Sequence, residues 1–525
     1  MVGSPKDIDA LDAEGLKGLL LQVLEENAAL RAEVAALREE NRRLKGLKGP
    51  PTLKPSKPSG MEKATAAKRR KPGRRGPKTP RVAVEEVVLQ PEVPPGSRFK
   101  GYEDFVVQDL VVRPRVIRYR RERWLTPEGT TVVAPLPPGL GLGHFGPELR
   151  RFVLAQYHQG QCTVERTTLL LQDIGIEISK RQVQRLLTDK QEDFLAEDRA
   201  VLRAGLATAA WISVDDTGAR HADRNATCTR IGDARFTNFA TTPAKSRLNF
   251  LELLAGFEPA YTVNAEALAY MRKRQLPEAL IARLAAPPER SFGDKAAWDA
   301  HLAALAIPAA DGSRDPARVA SEGALWGGLV ARGFEKTVIL SDDAGQFNVG
   351  RHALCWVHAE RLVHKLDTFC DRQARAKAAV RAGIWALYGD LKGYARDPGP
   401  ADAAALRERF DRLVATRTSF ATLDRLLARM QANRHELLVV LDRPEVPLHT
   451  NDAENDLRSV VTRRKLSGGT RSAAGRACRD AFLGLLKTCA KLGIRFWDYL
   501  GARLGASGAP AVPGLHHLVR QAATA

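Results

Sequence analysis

Cysteine is scarce in this sequence, long apolar runs are missing, and acids are outnumbered by bases. Each shortage excludes something. Six cysteines (Cys162, Cys228, Cys355, Cys370, Cys478, Cys489) are scattered over 525 residues, and none forms a C-x-x-C pair. That pattern excludes a disulfide frame and reads as reduced thiols of a cytosolic protein. No run of ~18 apolar residues occurs, and the N-terminus has no apolar core with a cleavage site, so neither a membrane span nor a secretory signal is expected. With 61 Asp and Glu against 81 Lys and Arg, the formal net charge is +20, so a polyanionic partner is the default expectation. What is present suits a folded protein. The 44 % apolar fraction is ample for a core, and the length suggests about three or four domains.

The first segment, residues 1–47, is read as a coiled-coil dimerisation helix. Leu16, Leu20, Val23, Asn27, Leu30, Val34, Leu37, Asn41 and Leu44 alternate steps of three and four. With Leu20 at heptad position a, Asn27 and Asn41 also fall at a, where Asn fixes register and favours a parallel dimer. Glu26 with Arg31, Glu33 with Arg38, and Glu40 with Lys45 form complementary g–e pairs in that register. The competing reading is an amphipathic helix docked on the body.

Residues 48–81 are read as a disordered basic linker. From Gly46 to Arg81 there are 12 Lys or Arg and one Glu. The centre holds Lys68, Arg69, Arg70, Lys71, Arg74 and Arg75, a flexible arm that would gain affinity for phosphates by releasing counterions. Residues 82–146 are expected to form a small β module, because the runs from Val82, Phe105 and Arg115 alternate or are β-branched. Residues 147–205 are expected to be helical. Thr163 and Ser179 are suited to cap two short helices with Gly175 between them, which fits a helix-turn-helix. The second would offer Lys180, Arg181, Gln182, Gln184 and Arg185 to DNA.

Chemistry concentrates further on. The stretch Pro447–Ser472 puts Glu454 at the start of a helix, followed by Arg458, Arg463, Arg464 and Lys465, a Gly-Gly turn and Arg471. A carboxylate beside a run of cations suits a site that holds a metal ion and a phosphodiester together. Asn451-x-x-Glu454 also fits a helix capping box, and the two roles are compatible. Two acidic pairs lie upstream, Asp215-Asp216 and Asp342-Asp343, each closing a short apolar strand. Strands are expected after the first pair as a hairpin meander. Carboxylates from adjacent strands, met by one from a helix, form a cluster of hard oxygens suited to Mg²⁺. Two such ions ~3.5–4 Å apart activate an attacking water or 3′-hydroxyl and stabilise the leaving oxygen. Either acidic pair alone reads equally as a turn. Together with Glu454 in a basic protein they read as a site.

In VDDTGAR (Val214 to Arg220), ILSDDAGQFN (Ile339 to Asn348), HALCWVHAERL (His352 to Leu362) and TNDAENDLR…KLSGGTRS (Thr450 to Ser472), the chain resembles a DDE transposase of the insertion-sequence-66 type. The order of these blocks and the leading coiled coil match as well. The resemblance implies an α/β RNase H-like catalytic core at residues 206–500, with a large helical insertion at 360–447. The chain departs from it at residues 258–333, a long, Ala-rich, mostly helical insertion between the meander and the second Asp, to which the sequence assigns no function. Residues 501–525 are read as a C-terminal tail. The implied triad is Asp215, Asp342 and Glu454, holding two Mg²⁺ ions, with Mn²⁺ able to substitute. Asp216 and Asp343 remain alternatives, and Asp452 or Asp456 could aid Glu454. Cys355-x-x-His358 matches a signature that such transposases carry. Two ligands are too few for structural zinc, so the pair is read as positioning the helix near the site. Many relatives carry a cysteine-rich zinc module after the coiled coil, whereas residues 82–138 contain no cysteine.

The expected activity is binding of double-stranded DNA at element ends by a homodimer, metal-dependent cleavage, and strand transfer into target DNA, in the cytoplasm at the nucleoid. Accessory transposition proteins are left open as partners. The alternative is a non-cleaving dimeric DNA-binding regulator derived from a transposase.

Overall fold

The computed structural model describes residues 13–44, 84–137, 143–309 and 315–524. The basic arm with Lys68, Arg69, Arg70, Lys71, Arg74 and Arg75 lies outside the described residues.

The heptad segment forms one helix, α1 (Ala13–Leu44). Its seam is uncovered: Leu20 and Leu30 are each 59 % exposed, and Leu16, Val23, Val34 and Leu37 are exposed too. The helix touches the body by its other side. Glu25 is buried and accepts a 2.6 Å hydrogen bond from Gln373 Nε2. In the register above Glu25 occupies position f, opposite a and d, so the apolar seam faces away from the body.

The expected β module is largely absent. Among the described residues of 84–137, the strands are one short hairpin, β1 (Arg123–Leu125) with β2 (Thr131–Val133), paired Arg123 to Val133. The runs Val84–Leu89 and Phe105–Val112 form no strand, and their apolar side chains are exposed. Alternation marks which face of a strand would be apolar. It does not supply the neighbouring strand or the surface that such a face requires.

Helices α2 (Pro147–Leu154), α3 (Val164–Asp173) and α4 (Lys180–Thr188) follow, with a wide π turn at Ala155–Gln159. Both expected caps form. Thr163 accepts from Arg166 N, and Ser179 with Gln182 makes a reciprocal capping box. Gly175, at φ +89°, makes the turn between α3 and α4. Leu171, Ile178, Val183 and Leu187 are buried, so the pair packs through one face and leaves Lys180, Arg181, Gln184 and Arg185 exposed.

Helix α5 (Glu192–Thr208) leads into a five-stranded mixed sheet. Its strands are β3 (Trp211–His221), β4 (Arg224–Gly232), β5 (Thr237–Thr242), β8 (Val338–Ser341) and β9 (Arg351–Leu354). Their order across the sheet is β5-β4-β3-β8-β9. The first three form the expected antiparallel meander, while β8 and β9 run parallel to β3. Gly232 is required at the β4–β5 turn, since a Cβ there would lie 2.2 Å from the Phe236 carbonyl oxygen.

Between β5 and β8 come α6 (Arg247–Leu254) and the first insertion. The insertion contains the small β6 (Tyr261–Thr262) and β7 (Ser291–Phe292) pair and helices α7 (Ala265–Lys273), α8 (Glu278–Ala285), α9 (Lys295–Ala304) and α10 (Pro316–Ala331). It shares the main core, with Trp298, Ala320 and Leu325 fully buried. The second insertion has its own core around Trp356, Leu387, Phe410 and Leu427. Its helices are α11 (Trp356–His364), α12 (Asp371–Tyr394), α13 (Pro400–Val414), α14 (Ala421–Ala432) and α15 (Arg434–Leu437).

The chain returns to the sheet through α16 (Asn451–Ser467), then α17 (Ala473–Lys491) and α18 (Phe496–Leu504). The expected tail is instead an ordered part of the core. Helix α19 (Leu515–Thr524) packs on α5 with Leu515 and Val519 fully buried. No helix among the described residues is long and apolar enough to cross a membrane.

Candidate active site

Strand register brings the first two acids together. The β3–β8 ladder pairs Ser213 with Leu340, so two residues further on Asp215 within β3 and Asp342 just beyond the end of β8 come side by side. Asp215 lies within β3, which continues to His221, rather than at a strand end. Side chains alternate along a strand, and directly paired residues share a face. Asp215 pairs with Arg230, which binds Asp456 of α16. Asp215 therefore points to the α16 face and Asp216 to the opposite one. There Lys245 Nζ lies 3.1 Å from Asp216, and Gln346 Nε2 donates to it at 2.7 Å.

The second pair divides in the same way. Asp342 Oδ1 accepts from Ala344 N at 3.2 Å, at the start of the loop after β8. Asp343 turns to α14, where it binds Arg429 and accepts from Asn433 at 3.3 Å. In each pair one carboxylate is consumed by a cation and the other is left toward the site. The consequence shows in Asp215. Burial, and the neighbouring Asp342 after it, push its carboxyl up to about 7, although it also accepts a hydrogen bond from Asp216 N.

Glu454 sits in the first turn of α16. The capping box does not form: Thr450 holds the cap position without a side-chain cap bond. The Glu454 carboxylate instead meets Arg361 Nη2 and His358 Nε2, each at 3.4 Å. His358 is one turn from Cys355, whose Sγ accepts from Thr450 N at 3.4 Å. The Cys355–His358 pair thus spans from α11 to the cap and the first turn of α16. Burial opposes the charge on His358, but Cys355 and then Glu454 raise it to about 9. Among the described residues, no three of the His, Cys, Asp and Glu side chains close into a group able to hold a metal ion.

The expected basic contacts separate by exposure. Arg458, Lys465 and Arg471 are exposed. Arg464 reaches back to the Gly218 carbonyl of β3. Arg463 departs from expectation. It is 5 % exposed, stacks on Tyr157 with its guanidinium 4.0 Å from the ring centroid, and donates to the carbonyls of Tyr157 and Cys162. It holds the π turn and is not available to DNA. The Gly-Gly turn lies against the same strand, because Gly469 would put a Cβ 2.5 Å from the Arg220 carbonyl oxygen. Asp452 is exposed, while Asp456 is buried in the sheet–helix interface.

Several supporting residues were not singled out from the sequence. Arg361 is three residues after His358, on the same helical face, which was the available signal. Gln346 lay within the ILSDDAGQFN block, and Lys245, Arg247 and Glu322 had no such signal. Glu322 of α10 is 2 % exposed and accepts from Tyr270 Oη at 2.8 Å and Arg318 Nε at 3.1 Å. Arg247 lies 3.9 Å from it and donates onward to the Gly345 carbonyl, in the loop after Asp342. The first insertion therefore braces the loop that carries the second acid.

A family model described as "Transposase IS66 family" matches residues 330–477, the span from before Asp342 to beyond Glu454. The uncharacterized protein y4jO of Sinorhizobium fredii is 50 % identical over 314 residues, which is 60 % of this chain and 97 % of that protein.

Proposed function

The chain belongs to the IS66 transposase family, and on that premise we propose that it binds the ends of its insertion sequence as a dimer and catalyses metal-dependent DNA cleavage and strand transfer. The observation that carries this reading is the juxtaposition of Asp215 and Asp342, neither of them ion-paired among the described residues, while Lys245 and Arg429 occupy Asp216 and Asp343. Three antiparallel strands followed by two parallel ones, with α16 crossing the face that bears Asp215, support an RNase H-like core.

The donor set suits a hard divalent cation. Its groups are oxygen ligands, and the raised proton affinity of Asp215 is what a nearby cation would relieve. Asp215, Asp342 and Glu454 would hold two Mg²⁺ ions, or Mn²⁺ in their place, with Glu454 drawn from Arg361 and His358. Bound there, the metal would activate the attacking oxygen and stabilise the leaving one. Cys355 and His358 position Glu454. Arg458, Lys465 and Arg471 meet the phosphates near the cut, with Arg464 holding β3. Helices α3 and α4 act as a helix-turn-helix, reading DNA through Lys180, Arg181, Gln184 and Arg185. The arm from Lys68 to Arg75 adds affinity that does not depend on sequence. The exposed a/d seam of α1 supports a parallel coiled-coil homodimer. A DNA-bound life would keep the protein at the nucleoid.

One observation favours the second reading, a non-cleaving dimeric regulator: Glu454 is engaged by Arg361 and His358 and, among the described residues, closes no three-acid cluster. Incubating the chain with labelled element ends in Mg²⁺ or in EDTA separates the two. Nicks that require Mg²⁺ support the transposase. End binding with no nick under any divalent cation selects the regulator.

A further inference from the structure

A large cleft lies apart from the carboxylates, and none of its lining residues belongs to β3, β8, α11 or α16. It encloses roughly 870 Å³ between the outer face of α5, the end of α18 and the start of α19. Pockets of that size hold nucleotide-sized ligands. Its composition is basic. Arg150, Lys190, Arg203, Arg503 and His516 line it, against Asp193 and Glu197.

Most of these charges are already balanced. Glu197 is fully engaged, accepting from Arg503 Nε and Nη2 at 2.8 Å and from Tyr499 Oη and Leu515 N at 2.9 Å. Arg203 meets Glu258 at 2.7 Å, and Asp193 lies exposed at the rim. Arg150 is different. It is only 7 % exposed, yet its guanidinium has no hydrogen-bonding, carboxylate or ring partner among the described residues. Burial is the one influence on its charge, and it lowers the pKa. Its neighbour Arg151 shows the usual arrangement, lying over the Trp497 ring and bonding Trp497 O and Glu148. His516 adds a buried polar atom without a hydrogen-bond partner, Nδ1.

A largely covered cation with no protein partner among the described residues, its nitrogens still reaching solvent in the cleft, is placed to take an anion. A guanidinium fork matches the oxygens of a phosphate. We propose that this cleft binds a phosphate group, with Arg150 as the buried anchor and Lys190 and His516 on its walls. The phosphate has two sources, the backbone of DNA or a free nucleotide. Lys190 follows α4 by two residues, so a strand lying along α4 can reach the cleft, while its volume also admits a whole nucleotide. The inference does not rest on the carboxylate site.

The test uses the full chain, with sodium pyrophosphate, ATP and a labelled duplex as probes, without divalent cation and against NaCl of matched ionic strength. Wild type is expected to melt at a higher temperature in pyrophosphate or ATP than in NaCl. Arg150→Met removes a charge that has no partner, so it should melt no lower than wild type and lose about tenfold or more in affinity for the anion. Lys190→Gln, at the exposed rim, should weaken the same ligand and serves if Arg150→Met fails to fold. If DNA is the source, Arg150→Met also weakens the duplex, pyrophosphate competes with it, and the salt slope falls by about one. If a free nucleotide is the source, duplex affinity is unchanged and ATP binding alone is lost. Equal melting in the three salts together with unchanged duplex affinity in the folded variants overturns the proposal. Asp342→Asn should keep the anion response, so loss of catalysis and loss of this site are read separately.

Discussion

Two acids two residues apart on α16 are assigned opposite roles, and Asp456→Asn separates them. Asp456 is 6 % exposed and faces Arg230, which is completely buried. Its Oδ2 accepts from Arg230 Nε at 3.1 Å, Arg230 Nη2 at 2.9 Å and Thr237 Oγ1 at 2.9 Å. Lys487 and Lys491 each stand 3.5 Å away. Burial opposes its charge, but Arg230 and the two lysines together hold its carboxyl below the usual range. Removing one partner of a buried pair destabilises by about 3–5 kcal/mol, because the other charge is left without a counter-ion. Asparagine keeps one acceptor oxygen, so about 3 kcal/mol is expected here, or about 4 °C in melting temperature for a cooperative unit of roughly 350 residues. The assay is thermal unfolding followed by near-ultraviolet circular dichroism. Arg230→Met combined with Asp456→Leu should recover part of the loss, since Arg230 is then no longer an orphaned charge while Lys487 and Lys491 still lose their acid. A shift of Asp456→Asn within about 1 °C of wild type would refute the reasoning, because a buried pair of this kind cannot be broken so cheaply.

Three further outcomes follow from the same geometry. Asp342→Asn should abolish DNA cleavage in a nicking assay with Mg²⁺, whereas Asp343→Asn should lower it by less than about tenfold, having lost only its tie to Arg429 and Asn433. Glu322→Gln should leave duplex affinity in a gel-shift assay unchanged and slow cleavage by about 10–100-fold, because Arg247 then holds the Gly345 carbonyl less firmly. If α1 pairs as proposed, wild type should be a dimer by light scattering and Leu30→Asp, in the exposed seam of α1, a monomer with an unchanged melting temperature of the core.

Elements with a one-dimensional signature were legible in the sequence. The meander after Asp215, the caps at Thr163 and Ser179, and the helical stretch between Asp342 and Glu454 all follow from local pattern, and all are present. Choices that depend on a partner distant in sequence were not legible. Adjacent aspartates on or just beyond a strand are equivalent in the sequence. What divides them is Lys245 and Gln346 on one face and Arg429 from a helix 86 residues away. Arg463 read as one of several basic residues, yet Ala453, Asp456, Leu457, Val460 and Arg463 form a buried stripe at helical spacing. That stripe was present in the sequence, and the charge obscured it. The apolar runs of 84–112 show the reverse error, since a strand-like pattern that finds no pairing partner among the described residues forms no strand and stays exposed. The α19 segment is short and polar enough to pass for a tail, and only Leu515 and Val519 give it a face to bury.

The central claim is that Asp215, Asp342 and Glu454 act together in cutting and joining DNA, and Glu454→Gln tests it most directly. The substitution keeps the shape of the side chain and removes the charge that meets Arg361 and His358. Wild type and variant are compared on labelled element ends in Mg²⁺, with binding measured alongside cleavage and strand transfer. The account predicts that the variant binds the ends as wild type does and loses on the order of a hundredfold or more in both reactions. A variant that cuts and joins as fast as wild type would contradict it and reduce Glu454 to a residue that only anchors α16 to α11.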